Sequence, residues 1–179
     1  MAARLAGILL VLSLAAMTPD QHAPPGASSP GGTPEAAHHA WLQQERQALE
    51  RGEGFGMALA ADRNGYPGPR HVLELGDQLK LSPQQRARVQ ELFTRMRQQA
   101  LARGKEVLLA ESQLDREFAQ NRPEAELRAQ VNRVAALRAD LRWIHLSAHL
   151  ATRPLLTQEQ LAAYQHLRHT AAAEAPSSK

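Results

Sequence analysis

His145-Leu146-Ser147-Ala148-His149 sets two imidazoles four residues apart. On an α-helix that spacing projects both rings from one side, one turn apart, where they can share an ion. Imidazole nitrogen suits zinc, copper, nickel or cobalt, and residue type alone leaves those four open. Two ligands make an incomplete shell. His71 is the candidate third, with Glu74 one turn later able to add a carboxylate and Met96 a soft thioether. The other reading of these residues is plainer. Imidazoles at the edge of an apolar stripe are often half-buried polar groups held by hydrogen bonds, and a stripe methionine fits a core equally well. His38-His39 and His166-x2-His169 read as solvated, and His22 with His38-His39 could capture metal loosely from the leader.

Other chemistry has little to stand on. The chain has no cysteine, which excludes a thiolate centre, a disulfide framework and a cysteine nucleophile. It shows no Ser-His-Asp order in a credible elbow, no phosphate loop after a strand and no cofactor fingerprint, so an enzyme is not expected. Gly52-Glu53-Gly54-Phe55-Gly56 mimics a dinucleotide loop, but no strand precedes it, and its glycines read as close helix packing.

The elements that must carry these residues are helical. Aromatics are 4% of a chain of 179 residues rich in Ala, Leu, Gln, Arg and Glu. Thr33 and Pro34 open a first helix that ends before Gly52. Asn64-Gly65 and Pro67-Gly68-Pro69 mark turns, and Pro69 opens a short helix carrying Val72, Leu75 and Leu79. From Pro83 to about Gln120, Val89, Phe93, Met96, Ala100, Val107, Leu114 and Phe118 trace one stripe. Asn121-Arg122-Pro123 breaks it. Leu127, Val131, Val134, Leu137, Leu141, Ile144 and Ala148 trace a second, ending before Pro154. The expected architecture is all-α: a long antiparallel helical hairpin with short flanking helices. Pairing across the turn sets Met96 opposite the interval between His145 and His149.

One phrase is written twice. Leu81-Ser82-Pro83-Gln84-Gln85 and Leu156-Thr157-Gln158-Glu159-Gln160 share a leucine, a hydroxyl residue and a glutamine three positions later. Each is a capping box, with Ser82 or Thr157 as the N-cap and Gln85 or Gln160 reaching back. An antiparallel hairpin brings both to the same end.

The termini read as processing and leader segments. Arg4 followed by the apolar run Leu5–Met17 and the small residues Ser13-Leu14-Ala15 forms a signal peptide over residues 1–16. Its 13 residues are too few to span a bilayer, which takes about 20. The alternative, an uncleaved anchor, lacks a basic flank downstream. Residues 17–34 are a Pro/Gly/Ser-rich flexible leader, residues 35–170 the helical domain and residues 171–179 a disordered tail. Export to the periplasm follows, without stable membrane insertion. The chain carries 18 arginines against three lysines, yet outside the cytoplasm a basic face meets acidic protein segments or lipid headgroups rather than nucleic acid.

A pair of LTxxQ-like phrases bracketing a helical hairpin, behind a signal peptide and without cysteine, resembles the Spy/CpxP superfamily of periplasmic stress proteins. Residues 64–69, 71–75 and 145–150 resemble its metal-resistance and heavy-metal-sensor branch, and the likeness covers about residues 53–169. The first phrase departs from the family pattern in having Ser82 for threonine. The resemblance implies a cradle-shaped homodimer, induction by envelope or metal stress, and either a sensing or a client-holding role. Related sensors use His, Glu and Met ligands, of which the His-x3-His spacing is the part that maps onto this chain. The expected function is a metal-responsive protein that buffers an ion or signals it to a membrane sensor kinase or anti-sigma partner. The alternative is a metal-independent holdase that grips unfolded clients.

Trp143, Leu146 and Leu150, extended by Ala136 and Ala139, lie off the stripe that meets the other arm. A helix apolar on two sides must bury both. Cover by the N-terminal segment, through Trp41, Phe55 or Met57, or by a twin subunit is expected. Arg86, Arg88, Arg95, Arg97 and Arg103 crowd the hairpin's base, as a solvated face or a lure for acidic segments.

Overall fold

The computed structural model describes residues 33–174, with side chains through residue 168. The signal peptide, nearly all of the leader and residues 175–179 lie outside the described residues. The described part is helical, without a strand among its residues. None of its helices is long and apolar enough to cross a membrane.

Helix α1 (Pro34–Arg51) starts where Thr33 accepts a hydrogen bond from the Ala36 amide at 3.2 Å. It stops at Gly52, whose φ of 68° lets Glu53 donate back to the Ala48 carbonyl at 2.8 Å. Two short helices follow, α2 (Leu59–Arg63) and α3 (Pro69–Glu74). Helix α4 (Pro83–Ala119) opens on the complete Ser82–Gln85 capping box. Asn121, at φ 52°, ends it, and Arg122 donates to the Glu117 carbonyl at 3.1 Å. Helix α5 (Glu124–Thr152) then runs into a 3₁₀ turn (Arg153–Leu155), and α6 (Gln158–Glu174) closes the fold. This last helix reaches four residues into the expected tail, where Ala171-Ala172-Ala173 favours continuation.

Helices α4 and α5 lie against one another in opposite directions. Gln130 donates to the Ala110 carbonyl at 2.7 Å, Arg138 to Glu111 at 2.7 Å, and Arg103 faces Asp140 at 3.6 Å. Arg138 also reaches Glu45 of α1 at 2.7 Å, tying three helices together.

Two apolar clusters form. Leu49, Ala100, Val107 and Leu141 make one, under α1. Val72, Leu79, Val89, Leu156 and Tyr164 make the other, among α3, the start of α4 and α6. The stripes are not buried to their far ends. Phe118 is 59% and Val131 47% exposed, because two helices alone cannot enclose a stripe that no third element covers. Gln130, bonded to Ala110, takes the buried place there instead.

Close approach of α1 to α4 depends on Gly104. A Cβ at that position would stand 2.7 Å from the Leu49 carbonyl oxygen. Gly104→Ala should therefore destabilise the protein, although alanine favours a helix by about 1 kcal/mol over glycine. The readout is a lower urea midpoint together with faster amide exchange in α1.

The two capping phrases meet. Gln85 Nε2 donates to Gln160 Oε1 at 2.8 Å and to the Leu155 carbonyl at 2.8 Å. Gln160 Nε2 donates to Gln85 Oε1 at 3.1 Å and to the Leu79 carbonyl at 3.2 Å. Each Oε1 also accepts from its own cap, Ser82 N at 3.0 Å and Thr157 N at 2.9 Å. The phrase is repeated because each copy caps one helix and clasps the other copy.

Candidate functional site

A cavity of about 560 Å³ opens between the two apolar clusters, walled by α4, α5, α3 and the loops around Gly54 and Gly68. His71, Met96, His145 and His149 all line it. Glu74 does not. It is exposed and bonded to Arg70 Nε at 2.9 Å.

His145 is 4% exposed, and its Nε2 is buried with no hydrogen-bond partner. The loop after α1 closes over it: a Cβ on Gly54 would lie 3.2 Å from Nδ1. A buried polar atom left unpaired costs about 1–3 kcal/mol, so this nitrogen marks the place where a ligand would gain most. His149, also buried, is oriented differently. Its Nδ1 stands 2.7 Å from the Tyr66 carbonyl oxygen, which can only accept. The proton therefore sits on Nδ1 and the lone pair on Nε2, the tautomer a metal ligand needs.

The Tyr66–Pro69 turn that supplies this carbonyl is held from both sides. Pro67 and Pro69 are fully buried, and the Arg153 guanidinium lies 4.8 Å from the centre of the Tyr66 ring. Gly68 lets the turn reach the imidazole, since a Cβ there would be 2.8 Å from His149 Nε2. Gly52 makes a similar approach to the α4 backbone at Arg97, whereas Gly56 meets nothing within 4 Å. Close packing thus accounts for three of these glycines and leaves Gly56 to its φ of 78°.

Two wall carboxylates went unsuspected in the sequence, and both are engaged. Glu53 accepts from Arg51 at 3.3 Å. Asp62 accepts from the Tyr164 hydroxyl at 3.1 Å and from Arg168 at 3.2 Å. Burial, then the Asp62 charge, raises the Tyr164 hydroxyl well above its ordinary range.

Burial is the main cause that lowers the pKa of His145 and of His71 below 6.5, joined by His149 for the first and Arg168 for the second. The unfolded chain then binds more protons than the folded one just below that value. Stability should be full above pH 6.5 and fall as the pH drops from there towards the folded-state values. Urea midpoints followed from about pH 7.5 to about pH 5.5 test this, and His145→Leu should flatten the slope.

Among the described residues no three His, Asp or Glu side chains converge closely enough to hold an ion. The cavity is lined by two imidazoles of α5, the Met96 side chain of α4 and His71 of α3. Trp143 and Leu150 stand 59% and 46% exposed, and Leu146 is half-buried. Trp41 and Phe55 pack on each other at 5.8 Å, and Met57 joins the Leu141 cluster, so the N-terminal helix and loop leave Trp143 open. Comparison with protein-family models, curated proteins and solved structures finds no match.

Proposed function

We propose that the protein binds a transition-metal ion at His145 and His149, with Met96 and His71 as further ligands, and buffers the ion or signals it to a membrane partner. The observation that carries this is the buried, unpartnered Nε2 of His145, which lines the same cavity as His149, an imidazole whose Nδ1 is turned to the Tyr66 carbonyl. Two imidazoles and a thioether are neutral, borderline-to-soft donors. They suit zinc, copper, nickel or cobalt and not magnesium or calcium, which take oxygen ligands. Ligands drawn from α3, α4 and α5 would give the ion a grip on three elements at once. The resemblance to the metal-sensor branch of the Spy/CpxP superfamily, the export signal in residues 1–16 and a cradle-shaped homodimer sealed at Trp143, Leu146 and Leu150 belong to the same reading.

Calorimetric titration of the mature chain with the four ions tests it. One ion per chain is expected, abolished in the His145→Ala/His149→Ala variant. Silence from all four would retire the proposal. The exposed Trp143 and Leu150 favour a second reading, a metal-independent holdase for unfolded chains, which suppression of client aggregation by metal-free protein would support.

A further inference from the structure

The cavity is far larger than an ion requires. About 560 Å³ lies in the range of small-molecule sites, and it would hold on the order of ten waters or more. Its charge is also wrong for a bare dication. The wall carboxylates Glu53 and Asp62 are already paired with arginines and a tyrosine. Arg51, Arg70 and Arg97 also line the cavity; Arg51 and Arg70 are paired with Glu53 and Glu74, and among the described residues Arg97 has no carboxylate partner. Arg97 directly follows Met96 on α4, and its backbone carbonyl abuts Gly52, where α1 ends with Arg51. Arg97 is thus an exposed, unneutralised cation on the cavity lining, whereas His145 and His149 are buried.

A dication held by two imidazoles and a thioether would keep its whole charge in this setting. It would be repelled by Arg97 and left with open coordination positions. A small acid meets both deficits, and its aliphatic body suits the Phe93 and Leu59 part of the wall. Resting on the metal-binding reading above, we infer that the cavity takes its ion together with a small organic carboxylate. One carboxylate group completes the ion's shell and the acid's other end pairs with Arg97. The protein then selects a metal–carboxylate complex rather than the free ion.

Succinate, a weak chelator, is the probe. Zinc, nickel, cobalt and copper(II) are titrated in turn against the mature protein, with free metal set by a competing chelator, in the presence and absence of succinate. Succinate should tighten ion binding by about tenfold. Arg97→Gln should lose that gain while binding the ion alone at least as tightly, since a repelling charge is removed, and Arg97→Lys should keep part of the gain. Ion binding that depends on His145 and His149 but is indifferent to succinate, or weakened by it, overturns this inference and leaves the metal reading standing. A gain that survives in Arg97→Gln also overturns it. Absence of binding by every ion, with or without succinate, removes both.

Discussion

Leu141→Ala should lower the unfolding free energy by about 3 kcal/mol, a large share of the stability of a single domain. Leu141 is 1% exposed and packs with Leu49, Ala100 and Val107, where α1 lies across α4 and α5. Ala100 and Gly104 on α4 are too small to fill the void, and Gly104 has no room to grow because a Cβ there would meet the Leu49 carbonyl oxygen at 2.7 Å. The cost should therefore fall at the cavity-forming end of the range for such truncations. A shifted urea midpoint at unchanged denaturant slope is the expected readout. Phe118→Ala supplies the contrast. At 59% exposure it should change stability by no more than about 0.5 kcal/mol in the monomer. A cost rivalling that of Leu141→Ala would mean that a second chain covers the far end of the two long helices.

The second large effect is expected from the glutamine clasp. Gln85→Ala and Gln160→Ala should each cost about 2 kcal/mol, since each removes a capping partner and strands half-buried groups. Gln160→Ala leaves the Thr157 amide and the Leu79 carbonyl without this partner and takes one of two partners from each end of the Gln85 amide. The double variant should cost less than the two singles together, with a coupling of about 1 kcal/mol or more. Strict additivity in this double-mutant cycle would show that the two caps act separately and that their contact carries no stability. Ser82→Ala gives a reference for the loss of one cap alone, about 1 kcal/mol.

Much of this fold could be read from local chemistry. Thr33-Pro34, Ser82-Pro83 and Asn121-Arg122-Pro123 specify helix ends through caps and through proline geometry, which act within a few residues. The helical character followed from periodicity for the same reason. What escaped notice depends on partners distant in the chain. The choice of Gln130 over Val131 as the buried residue is made by the Ala110 carbonyl, 20 positions away. The pairing of Glu74 with Arg70 is a surface ion pair at one-turn spacing that the sequence permits but does not demand. At the site, the spacing of His145 and His149 and the pairing with Met96 were legible, and all three line one cavity together with His71. Their environment was not. Tyr66 contributes a backbone carbonyl, to which its side-chain type gives no clue. Gly54 and Gly68 matter for the side chain they lack. Arg97 looked like one of five arginines on a solvated face, and only the placement of Gly52 and the engaged carboxylates sets it apart.

The cavity adjoins two apolar clusters that the single helix α4 joins, through Val89 in one and Ala100 and Val107 in the other. A guest seated in it would touch Phe93 and Met96, α4 residues between them. Its binding free energy would then be added to the stability of both clusters at once. In that state the melting transition would rise, a thermodynamic message that a partner could sense without any large displacement.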